Sequence, residues 1–526
     1  MIKTRFAPSP TGYLHVGSLR TALYCYLFAK KNKGKFVLRI EDTDQERYVK
    51  GAFENLLETL EWMGLEYEEG PISTTKEKGN FGPYVQSART QIYRDHVQKL
   101  IEEGKAYHCF CKKDRLEEMR EQQKKNKEAP MYDRKCLDLP KSEIKEKIEA
   151  GETFVIRQKM PYEVIKFKDI VRGNVQFHGK TIDDQILMKS DGFPTYHLAN
   201  VVDDHLMEIT HVIRGEEWLP STPKHIALYN AFGWEIPEFA HLPLLLNSDR
   251  SKLSKRQGHV AVEEYIKEGY LREAIINFVV FLGWNPGGGE ENEIFTLKEL
   301  EEKFDLGKVH KAGAIFNLEK LDWFNWRWKK QKYTEEIEEI AKEIDPKVKI
   351  ESPRKDQFLY KFASPENQKK FTQKRGEKLL EICENFMNPK YKEDKEKLFM
   401  ALISVEEKVL KAPKEINENI DFYYSLPKYN KELLTHEKMR VNFNQAKESL
   451  LETEKALKNI ENWNIDSIEK HLFEAVKTLG VKNGQVFWPL RAALSGLQFS
   501  PGVFEIAWTL GKKETLTRIK KAYEIL

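Results

Sequence analysis

The sequence predicts an α/β fold built on a parallel sheet, followed by a long and mainly helical region. Met1–Phe6 is apolar and typical of a strand, Ser18–Lys31 carries apolar residues at helical spacing, and Lys35–Glu41 is again typical of a strand. A strand, a helix and a strand within about forty residues form a βαβ unit, in which the two strands run parallel. From about Val262 onward, helical periodicity predominates.

The connection between the first strand and the first helix indicates a binding site. Ala7–Ser18 reads APSPTGYLHVGS, so Pro and Gly residues end the strand directly before a helix N-terminus, where backbone N–H groups can bind phosphate. Ligands of parallel sheets bind beyond the carboxyl ends of the strands. Arg5–Pro8 and Glu41–Asp44 lie at two such ends. We therefore expect both segments to face one crevice.

Composition sets broad limits on the class of protein. A chain of 526 residues exceeds one hydrophobic core and predicts three to five domains. Apolar residues make up 40% and charged residues 32%, and the net charge of +3 permits nucleic-acid binding without indicating it. The sequence has no run of about 18 apolar residues and no signal-peptide pattern, which predicts a cytoplasmic protein without a membrane span.

The pattern along the chain suggests an interrupted sheet. Amphipathic helices are predicted near residues 53–65 and 90–103, and from Tyr107 to about Lys189 charged helices alternate with short strands, as in an insertion. The strands expected inside this insertion are Phe154–Ile156, Asp169–Val171 and Val175–Phe177. The strands expected to resume and end the sheet are Ile186–Met188, Tyr196–Val202 and Leu242–Leu246.

Two segments resemble the signature motifs of class I aminoacyl-tRNA synthetases. The string around His15-Val16-Gly17 resembles the HIGH motif, and Ser251–Arg256, SKLSKR, resembles the KMSKS motif. The run from Arg5 to Asp44 is similar, more narrowly, to glutamyl-tRNA synthetases. This resemblance is dense in the first 260 residues and looser afterwards.

The resemblance implies an α/β Rossmann-type catalytic domain with an inserted α+β subdomain, followed by an all-α C-terminal anticodon-binding region. The implied boundaries are residues 1–106 and 190–260 for the two catalytic halves, 107–189 for a tRNA acceptor-end-binding insertion, 261–335 for a helical stem-contact domain and 336–526 for two helical anticodon-binding subdomains. Asp421–Leu434 and Gly496–Gly511 resemble the helical tail of bacterial-type members, whereas glutaminyl and archaeal-eukaryotic members carry β-barrels there. We expect no strands after about residue 335.

The resemblance also assigns the nucleotide site. His15 and Lys255 are implied as catalytic residues, His15 by donating to ATP phosphate oxygens and Lys255 by stabilising the pyrophosphate leaving group. The residues implied to bind ATP are His15, Gly17, Ser18, Glu217, Lys252, Lys255 and Arg256. Trp218 is expected near the meeting point of the substrates and the tRNA end. A tight strand-helix turn and a solvated lysine patch are the structural alternatives for these motifs.

The amino-acid pocket is implied by a second set of residues. In the family the positions of Arg5, Ala7, Ser9, Glu41, Tyr196, Asn200 and Arg214 line this pocket. Arg214, with Arg5, would face the carboxylates of the substrate, and Glu41 would face its ammonium group. A guanidinium pairs with a carboxylate through two parallel hydrogen bonds, which favours glutamate over glutamine. The structural alternative is an ordinary Arg5–Glu41 ion pair.

The cysteines form a partial zinc pattern. The five thiols are too few and too scattered for a disulfide framework, but Cys109-x-Cys111 is followed by Cys136. Zinc-carrying bacterial relatives have Cys-x-Cys, a long gap and Cys-x-His, and this chain has Asp138 in place of that histidine. Zinc prefers four tetrahedral ligands. Two interpretations stay open: a structural zinc held by Cys109, Cys111, Cys136 and either Asp138 or Tyr132, or three free thiols.

Trp323, Trp326 and Trp328 lie among basic residues near an expected domain boundary. A packed hinge and an RNA-binding surface are both compatible with this composition, and the hinge is favoured.

The implied function is ATP-dependent ligation of L-glutamate to tRNA(Glu) through glutamyl-adenylate, with Mg²⁺ beside ATP, by a monomer. One alternative is a form that also glutamylates tRNA(Gln). A small-molecule nucleotidyltransferase is a rival of another class, and the long helical tail argues against it. An RNA-binding protein with an inactive site is disfavoured because His15, Lys255, Arg5 and Arg214 are all present.

Overall fold

The computed structural model describes residues 1–44, 47, 49–253, 261–354 and 357–526. The chain divides into two compact units, Met1–Trp328 and Lys329–Leu526. Among the described residues, none of the helices combines the length and apolar character needed to cross a bilayer.

The first unit contains thirteen described strands and the first eleven described helices. The strands are β1 (Lys3–Phe6), β2 (Lys35–Leu38), β3 (Gly70–Pro71), β4 (Glu77–Lys78), β5 (Ala106–Cys109), β6 (Val155–Gln158), β7 (Val164–Asp169), β8 (Gly173–His178), β9 (Ile186–Met188), β10 (His211–Gly215), β11 (Glu238–Leu242), β12 (Leu245–Leu246) and β13 (Ala314–Ile315). The helices are α1 (Val16–Lys31), α2 (Ala52–Met63), α3 (Thr90–Glu102), α4 (Lys113–Lys125), α5 (Lys141–Glu149), α6 (Tyr196–Leu206), α7 (Thr222–Phe232), α8 (Val262–Lys267), α9 (Arg272–Val280), α10 (Leu297–Lys303) and α11 (Leu318–Ile344), which continues into the second unit.

A six-stranded sheet organises the first unit, in the order β2-β1-β10-β11-β7-β8. The first four strands of this order are mutually parallel, and Thr4 aligns with Phe36 on one side and His211 on the other. The predicted βαβ unit is therefore confirmed. Helix α1 buries Leu19, Leu23 and other apolar residues in the main core beside this sheet, where α9 also packs. The carboxyl ends of β1, β2, β10 and β11 consequently share one edge.

Three segments expected in the central sheet form other structures in whole or in part. Of Leu242–Leu246, only Leu242 belongs to that sheet, as the last residue of β11, while Leu245–Leu246 pairs with β13 in a separate sheet. Tyr196–Val202 is helical, as part of α6, because Leu198, Ala199, Val201 and Val202 recur at helical spacing and are all buried. The β-branched pair Val201-Val202 resembles a strand in sequence but packs as a helix face. Ile186–Met188 is a strand, but it pairs with β6 in a separate antiparallel sheet of order β5-β6-β9.

Residues 107–189 contribute to both sheets. Strands β5 and β6 pair antiparallel in the small sheet, and Tyr107 aligns with Arg157. Strands β7 and β8 instead extend the central sheet, because Asp169 aligns with Phe239 of β11. The strand expected at Asp169–Val171 thus lies earlier, at Val164–Asp169.

The second unit is mainly helical. Its helices beyond α11 are α12 (Pro365–Cys383), α13 (Lys395–Ser404), α14 (Glu406–Lys411), α15 (Ile416–Tyr424), α16 (Phe443–Lys458), α17 (Ile465–Leu479), α18 (Asn483–Ser495) and α19 (Val503–Glu524). The buried Arg518 of α19 donates to the carbonyls of Phe422 and Leu494 at 2.8 and 2.6 Å, which joins the ends of α15 and α18. The expectation of no strands after residue 335 is wrong in one place, since β14 (Lys349–Arg354) and β15 (Gln357–Lys361) form an antiparallel hairpin.

The tryptophans near the boundary lie on α11. Trp328 is buried in the main core of the first unit, and Trp323 packs against that core. The division between the two units follows Trp328 directly, and the hinge favoured from the sequence stays a prediction.

Candidate functional site

A cavity of about 410 Å³ lies at the shared carboxyl edge of β1, β10 and β11. The candidate residues that line it are Arg5, Ala7, Ser9, His15, Gly17, Ser18, Glu41, Tyr196, Asn200, Arg214, Glu217, Trp218 and Lys252. All the candidate substrate-binding residues within the described ranges therefore surround one cavity. Lys255 and Arg256 lie outside the described residues.

Three elements direct the polar side chains of this cavity. Arg5 is near the end of β1 and Arg214 near the end of β10, so both reach the same edge of the sheet. Tyr196 and Asn200 are four residues apart on α6, which places them on one face of that helix. The sequence analysis predicted a strand here; it is the helical conformation that brings two residues four positions apart to the same side of the element.

A buried ion-pair network holds Arg5. Its Nε donates to Asp204 Oδ1 at 3.0 Å, and Arg39 Nη1 donates to the same oxygen at 2.7 Å. With its amide oriented to accept, the Asn200 oxygen lies 3.2 Å from Nη2 of both arginines. Burial would raise the pKa of Asp204, but the charges of Arg5 and Arg39 and their hydrogen bonds hold it below its ordinary value. The suggested Arg5–Glu41 ion pair is not formed between these two described residues, because each partner has a nearer neighbour.

Glu41 belongs to the same network. Its Oε1 accepts from Arg39 Nη2 at 3.1 Å, while its side chain also lines the cavity. Burial raises the pKa of Glu41 above its ordinary value, against the opposing charges of Arg39 and Arg5. A cationic group that entered the cavity would favour the ionised form of this carboxyl.

Arg214 has a different environment from Arg5. Its Nε donates to His241 Nε2 at 3.1 Å, its Nη1 to the Tyr196 hydroxyl at 3.1 Å, and its Nη2 to Thr222 Oγ1 at 2.9 Å. Nη1 also lies 3.2 Å from His225 Nδ1, and burial together with the Arg214 charge holds the pKa of His225 well below its usual value. The hydrogen-bond partners recorded for Arg214 are thus neutral groups, although the guanidinium itself is buried.

His15 caps the helix that faces the cavity. Its Nδ1 accepts from the backbone N–H of Gly17 at 2.9 Å at the N-terminus of α1. Since Nδ1 accepts, the neutral imidazole carries its proton on Nε2, which is then a donor. A Cβ on Gly17 would lie 3.3 Å from His15 Nδ1 and 3.6 Å from Leu245 Cδ1. Glycine at this position therefore keeps both the ring and the adjacent wall in place.

The remaining candidates also line the cavity. Glu217 folds over Gly215, where an added Cβ would lie 2.2 Å from the glutamate Oε2. The Trp218 and Tyr196 rings lie 4.3 Å apart between centroids. Lys252 is exposed and forms an isolated bridge with Leu246, directly before the stretch that the structure does not describe.

The three candidate cysteines meet away from this cavity. The sulfurs of Cys109, Cys111 and Cys136 lie within 4.8 Å of one another, and the Tyr132 hydroxyl is 3.3 Å from Cys109 Sγ and 3.4 Å from Cys111 Sγ. Tetrahedral zinc with bonds of about 2.3 Å separates its sulfurs by about 3.8 Å, so the spacing fits. Hydrogen bonds from Cys136, Tyr132 and Arg157 lower the pKa of Cys109 to about 4, against the effect of burial. The site fits a thiolate-bound metal.

Asp138 does not join this cluster. It is exposed, two residues beyond the inward-facing Cys136 and past the turn closed by Leu137 N and Arg134 O. The structure therefore does not bring Asp138 together with the three thiols. Tyr132, the alternative fourth group, is buried between the thiols instead.

Several residues of the site were missed in the sequence analysis. Asp204 and Arg39 support Arg5, while Thr222, His225 and His241 contact Arg214. The available signal was a charged or polar residue inside an otherwise apolar segment, such as His241 in Phe239–Leu242. Buried polar groups of this kind need partners.

Comparison with known proteins identifies the family. The family "tRNA synthetases class I (E and Q), catalytic domain" matches residues 1–323, and an "Anticodon binding domain" family matches residues 366–523. A glutamate–tRNA ligase of Chloroherpeton thalassium is 46% identical, with 100% of this chain and 98% of the relative covered. One of Clostridium tetani is 44% identical, with 100% and 98% covered.

Solved structures agree with this result. The crystal structure of a glutamate tRNA ligase from Elizabethkingia meningosepticum, in complex with its amino acid, has a TM-score of 0.72 and 35% identity, with 100% of this chain and 99% of that chain covered. Since the catalytic family extends over more than half of the chain and includes the residues that surround the cavity, the chain belongs to the class I tRNA synthetases of the E and Q family.

Proposed function

We propose that this chain uses ATP to attach L-glutamate to the 3′ end of tRNA(Glu), with glutamyl-adenylate as the intermediate. The observation that carries this proposal is one cavity lined by two chemically different sets of residues. Arg5, Glu41 and Arg214 form the arginine set, and His15 and Gly17, at the N-terminus of α1, belong to the nucleotide set. The relatives named above, which align over their full length, bear the same activity in their names.

The arginine set suits an amino acid with two carboxylates. Arg5 is already paired with Asp204, whereas the recorded partners of Arg214 are neutral, so a bound carboxylate would balance the Arg214 charge. Arg5 and Arg214 together would bind the two carboxylates, with Ala7, Ser9, Tyr196 and Asn200 around them, and Glu41 would bind the ammonium group. An uncharged amide cannot form the bidentate ion pair, which favours glutamate over glutamine.

The nucleotide set suits the phosphates of ATP. His15 presents an Nε2–H donor and α1 presents its first backbone N–H groups, while Ser18, Glu217 and Lys252 complete the lining. We propose that Lys255 and Arg256 join Lys252 in binding the pyrophosphate portion of ATP. Bound Mg²⁺ would offset the charge of the phosphates.

The reaction requires positioning and charge stabilisation. In the first step, an oxygen of the glutamate α-carboxylate bonds to the α-phosphorus, and the bond to the pyrophosphate oxygen breaks. In the second step, the terminal ribose 2′-hydroxyl of tRNA bonds to the activated carbonyl carbon, and AMP leaves. His15 and Lys255 would stabilise the negative charge that develops in the first step.

The remaining segments are assigned to tRNA. We propose that residues 107–189 bind the acceptor end, 261–335 contact the stem and 336–526 bind the anticodon, with the monomer as the working unit. The anticodon-binding family match over residues 366–523 supports the last assignment. Which of tRNA(Glu) and tRNA(Gln) is accepted depends on side chains in this last segment.

We further propose that Cys109, Cys111, Cys136 and Tyr132 hold one structural zinc ion, which would brace the small sheet β5-β6-β9. Three thiols and a phenol within one cluster provide four donors. A metal held there would be outside the cavity lining and would take no part in the chemistry.

The decisive experiment is aminoacylation with radiolabelled glutamate and separately purified tRNA(Glu) and tRNA(Gln). Charging of tRNA(Glu) alone is the expected result, and charging of both would indicate the broader tRNA range. ATP–pyrophosphate exchange without tRNA, dependent on an acceptor that is not an amino acid, would instead establish a small-molecule nucleotidyltransferase.

A further inference from the structure

A buried chain of hydrogen bonds links Asp169 to Arg214. Asp169 Oδ2 lies 2.6 Å from His241 Nδ1, and His241 Nε2 lies 3.1 Å from Arg214 Nε. All three side chains are buried, with His241 at 0% exposure. Asp169 lies where β7 pairs with β11, so this series of hydrogen bonds extends from the sheet to the cavity. The substrate assignments above give no role to Asp169 or His241.

The geometry determines the tautomer of His241. Ionised Asp169 only accepts hydrogen bonds, so His241 Nδ1 carries a proton. Arg214 Nε only donates, so His241 Nε2 must offer its lone pair. Burial and the Arg214 charge lower the pKa of His241, with Asp169 opposing this effect, which is consistent with a neutral ring. A proton on Nε2 would turn a hydrogen bond into a contact between two donors.

The same carboxylate is anchored independently of the histidine. Asp169 Oδ1 accepts from the backbone N–H groups of Val171 and Arg172 at 3.0 and 2.8 Å. The His241 N–H lies 3.3 Å from the same oxygen. One oxygen of Asp169 is therefore held by the backbone, and the other is left to face the imidazole.

We propose that Asp169 and His241 are positioning residues for the amino-acid specificity of this site. Asp169 selects the His241 tautomer that accepts from Arg214 Nε, which fixes the guanidinium plane. Because His241 separates the negative charge of Asp169 from Arg214, the guanidinium is oriented without forming a direct ion pair with Asp169. The arginine thus stays available for the substrate carboxylate. This inference rests on the proposed function.

Asp169→Asn tests the proposal with almost no change of shape. The amide oxygen of the variant would keep the backbone N–H bonds, which turns the NH₂ group toward His241 Nδ1. The ring would then hold its proton on Nε2, which faces both Arg214 Nε at 3.1 Å and Thr222 Oγ1 at 3.0 Å, and could no longer accept the hydrogen bond from Arg214. We expect the KM for glutamate to rise by about 10- to 100-fold, because a hydrogen bond to a charged group is lost. The KM for ATP should stay within about twofold, since Asp169, His241 and Arg214 are not among the residues assigned to ATP.

A variant of the histidine itself separates tautomer control from packing. In His241→Gln, the amide oxygen can accept from Arg214 without any tautomer to select. The change in glutamate KM caused by Asp169→Asn should therefore shrink to about twofold or less in the His241→Gln background. An equally large effect in both backgrounds would overturn the proposed relay.

Asp184→Asn is the matched control. Asp184 is also a buried carboxylate, and it accepts from Tyr107, Arg134 and the Met160 N–H in the small sheet. If this variant raised the glutamate KM as much as Asp169→Asn at equal thermal stability, the effect would be structural and the proposal would fail. Preference for glutamate over glutamine should fall for Asp169→Asn alone. If the unmodified chain does not charge glutamate, the proposed function itself fails; if it does and Asp169→Asn behaves identically, only this inference fails.

Discussion

Arg5 and Asp204 form an ion pair in which Nε and Oδ1 lie 3.0 Å apart, entirely within the protein interior. Arg214, which lines the same cavity, is hydrogen-bonded to neutral groups instead. The two arginines are therefore not equivalent toward a substrate. The charge of Arg5 is balanced by Asp204, whereas the charge of Arg214 can be balanced by a ligand that binds in the cavity.

Arg214→Gln should reduce the use of glutamate strongly. The amide keeps some hydrogen bonds but loses the charge and the bidentate geometry, so kcat/KM for glutamate should fall by about 100-fold or more. The KM for ATP should change little, as measured by ATP–pyrophosphate exchange in the presence of tRNA. Arg134→Gln, which breaks an ion pair with Asp184 outside the cavity, is the control. An unaltered glutamate kcat and KM would contradict the assignment.

Asp204→Asn should change how stability depends on pH. The pKa of Asp204 is lowered in the folded state, so its ionised form stabilises the fold above the unfolded-state pKa of about 3.9. That contribution is lost as pH falls through the lower folded-state pKa. The variant should be less stable near neutrality and lose less stability on acidification. Urea unfolding at pH values from about 3 to 7, which bracket that pKa, measures both effects. Parallel plots of unfolding free energy against pH for the two proteins would refute the contribution of the ion pair.

Two substitutions at His15 separate helix capping from catalysis. Asparagine is a good N-cap, so His15→Asn should keep the hydrogen bond from Gly17 N–H and nearly all of the stability. His15→Ala should cost about 0.5–2 kcal/mol, because the cap is lost. Both variants should lower turnover by about 100-fold, since both lack the Nε2–H donor. Thermal unfolding and aminoacylation rates provide the two readouts, and full activity in His15→Asn would exclude a catalytic imidazole.

Gly17→Ala should lower activity without lowering stability. The position has ordinary helical geometry, where alanine is favoured over glycine by about 1 kcal/mol. The new Cβ would nevertheless press on His15 Nδ1 at 3.3 Å and intrude on the cavity wall at Leu245. We expect an unchanged or higher melting temperature together with slower adenylate formation. Wild-type rates at a raised melting temperature would show that the cavity tolerates the methyl group.

The cysteine cluster should bind about one zinc ion per chain. Cys136→Ser should abolish this binding, and Tyr132→Phe should weaken it, because a phenol oxygen supplies the fourth position. Elemental analysis after zinc loading and dialysis measures the stoichiometry. Cys383→Ser is the control, since Cys383 is also buried but lies in the second unit. Equal zinc content in the unmodified chain and all three variants would show that this cluster is not the metal site.

The sequence was most informative where local patterns coincide with the fold. The βαβ unit followed from three consecutive apolar segments, and the cavity end near His15 followed from the turn that joins two of them. Tyr196–Val202 was misjudged because its β-branched residues favour a strand, whereas burial on one face of α6 decided for a helix. Asp138 was misplaced because spacing along the chain does not reveal which side chain turns inward.

By itself the sequence determined the parallel sheet, the helical second part and the identity of most of the polar residues that line the cavity. Only the tertiary structure decided that Asp204 balances Arg5, that Asp169 reaches Arg214 through His241, and that Tyr132 rather than Asp138 joins the thiols. The physical reason is the distance along the chain over which each kind of interaction acts. Periodicity and turns are local properties, while buried polar pairs join residues far apart in the chain and form only when packing excludes water from them.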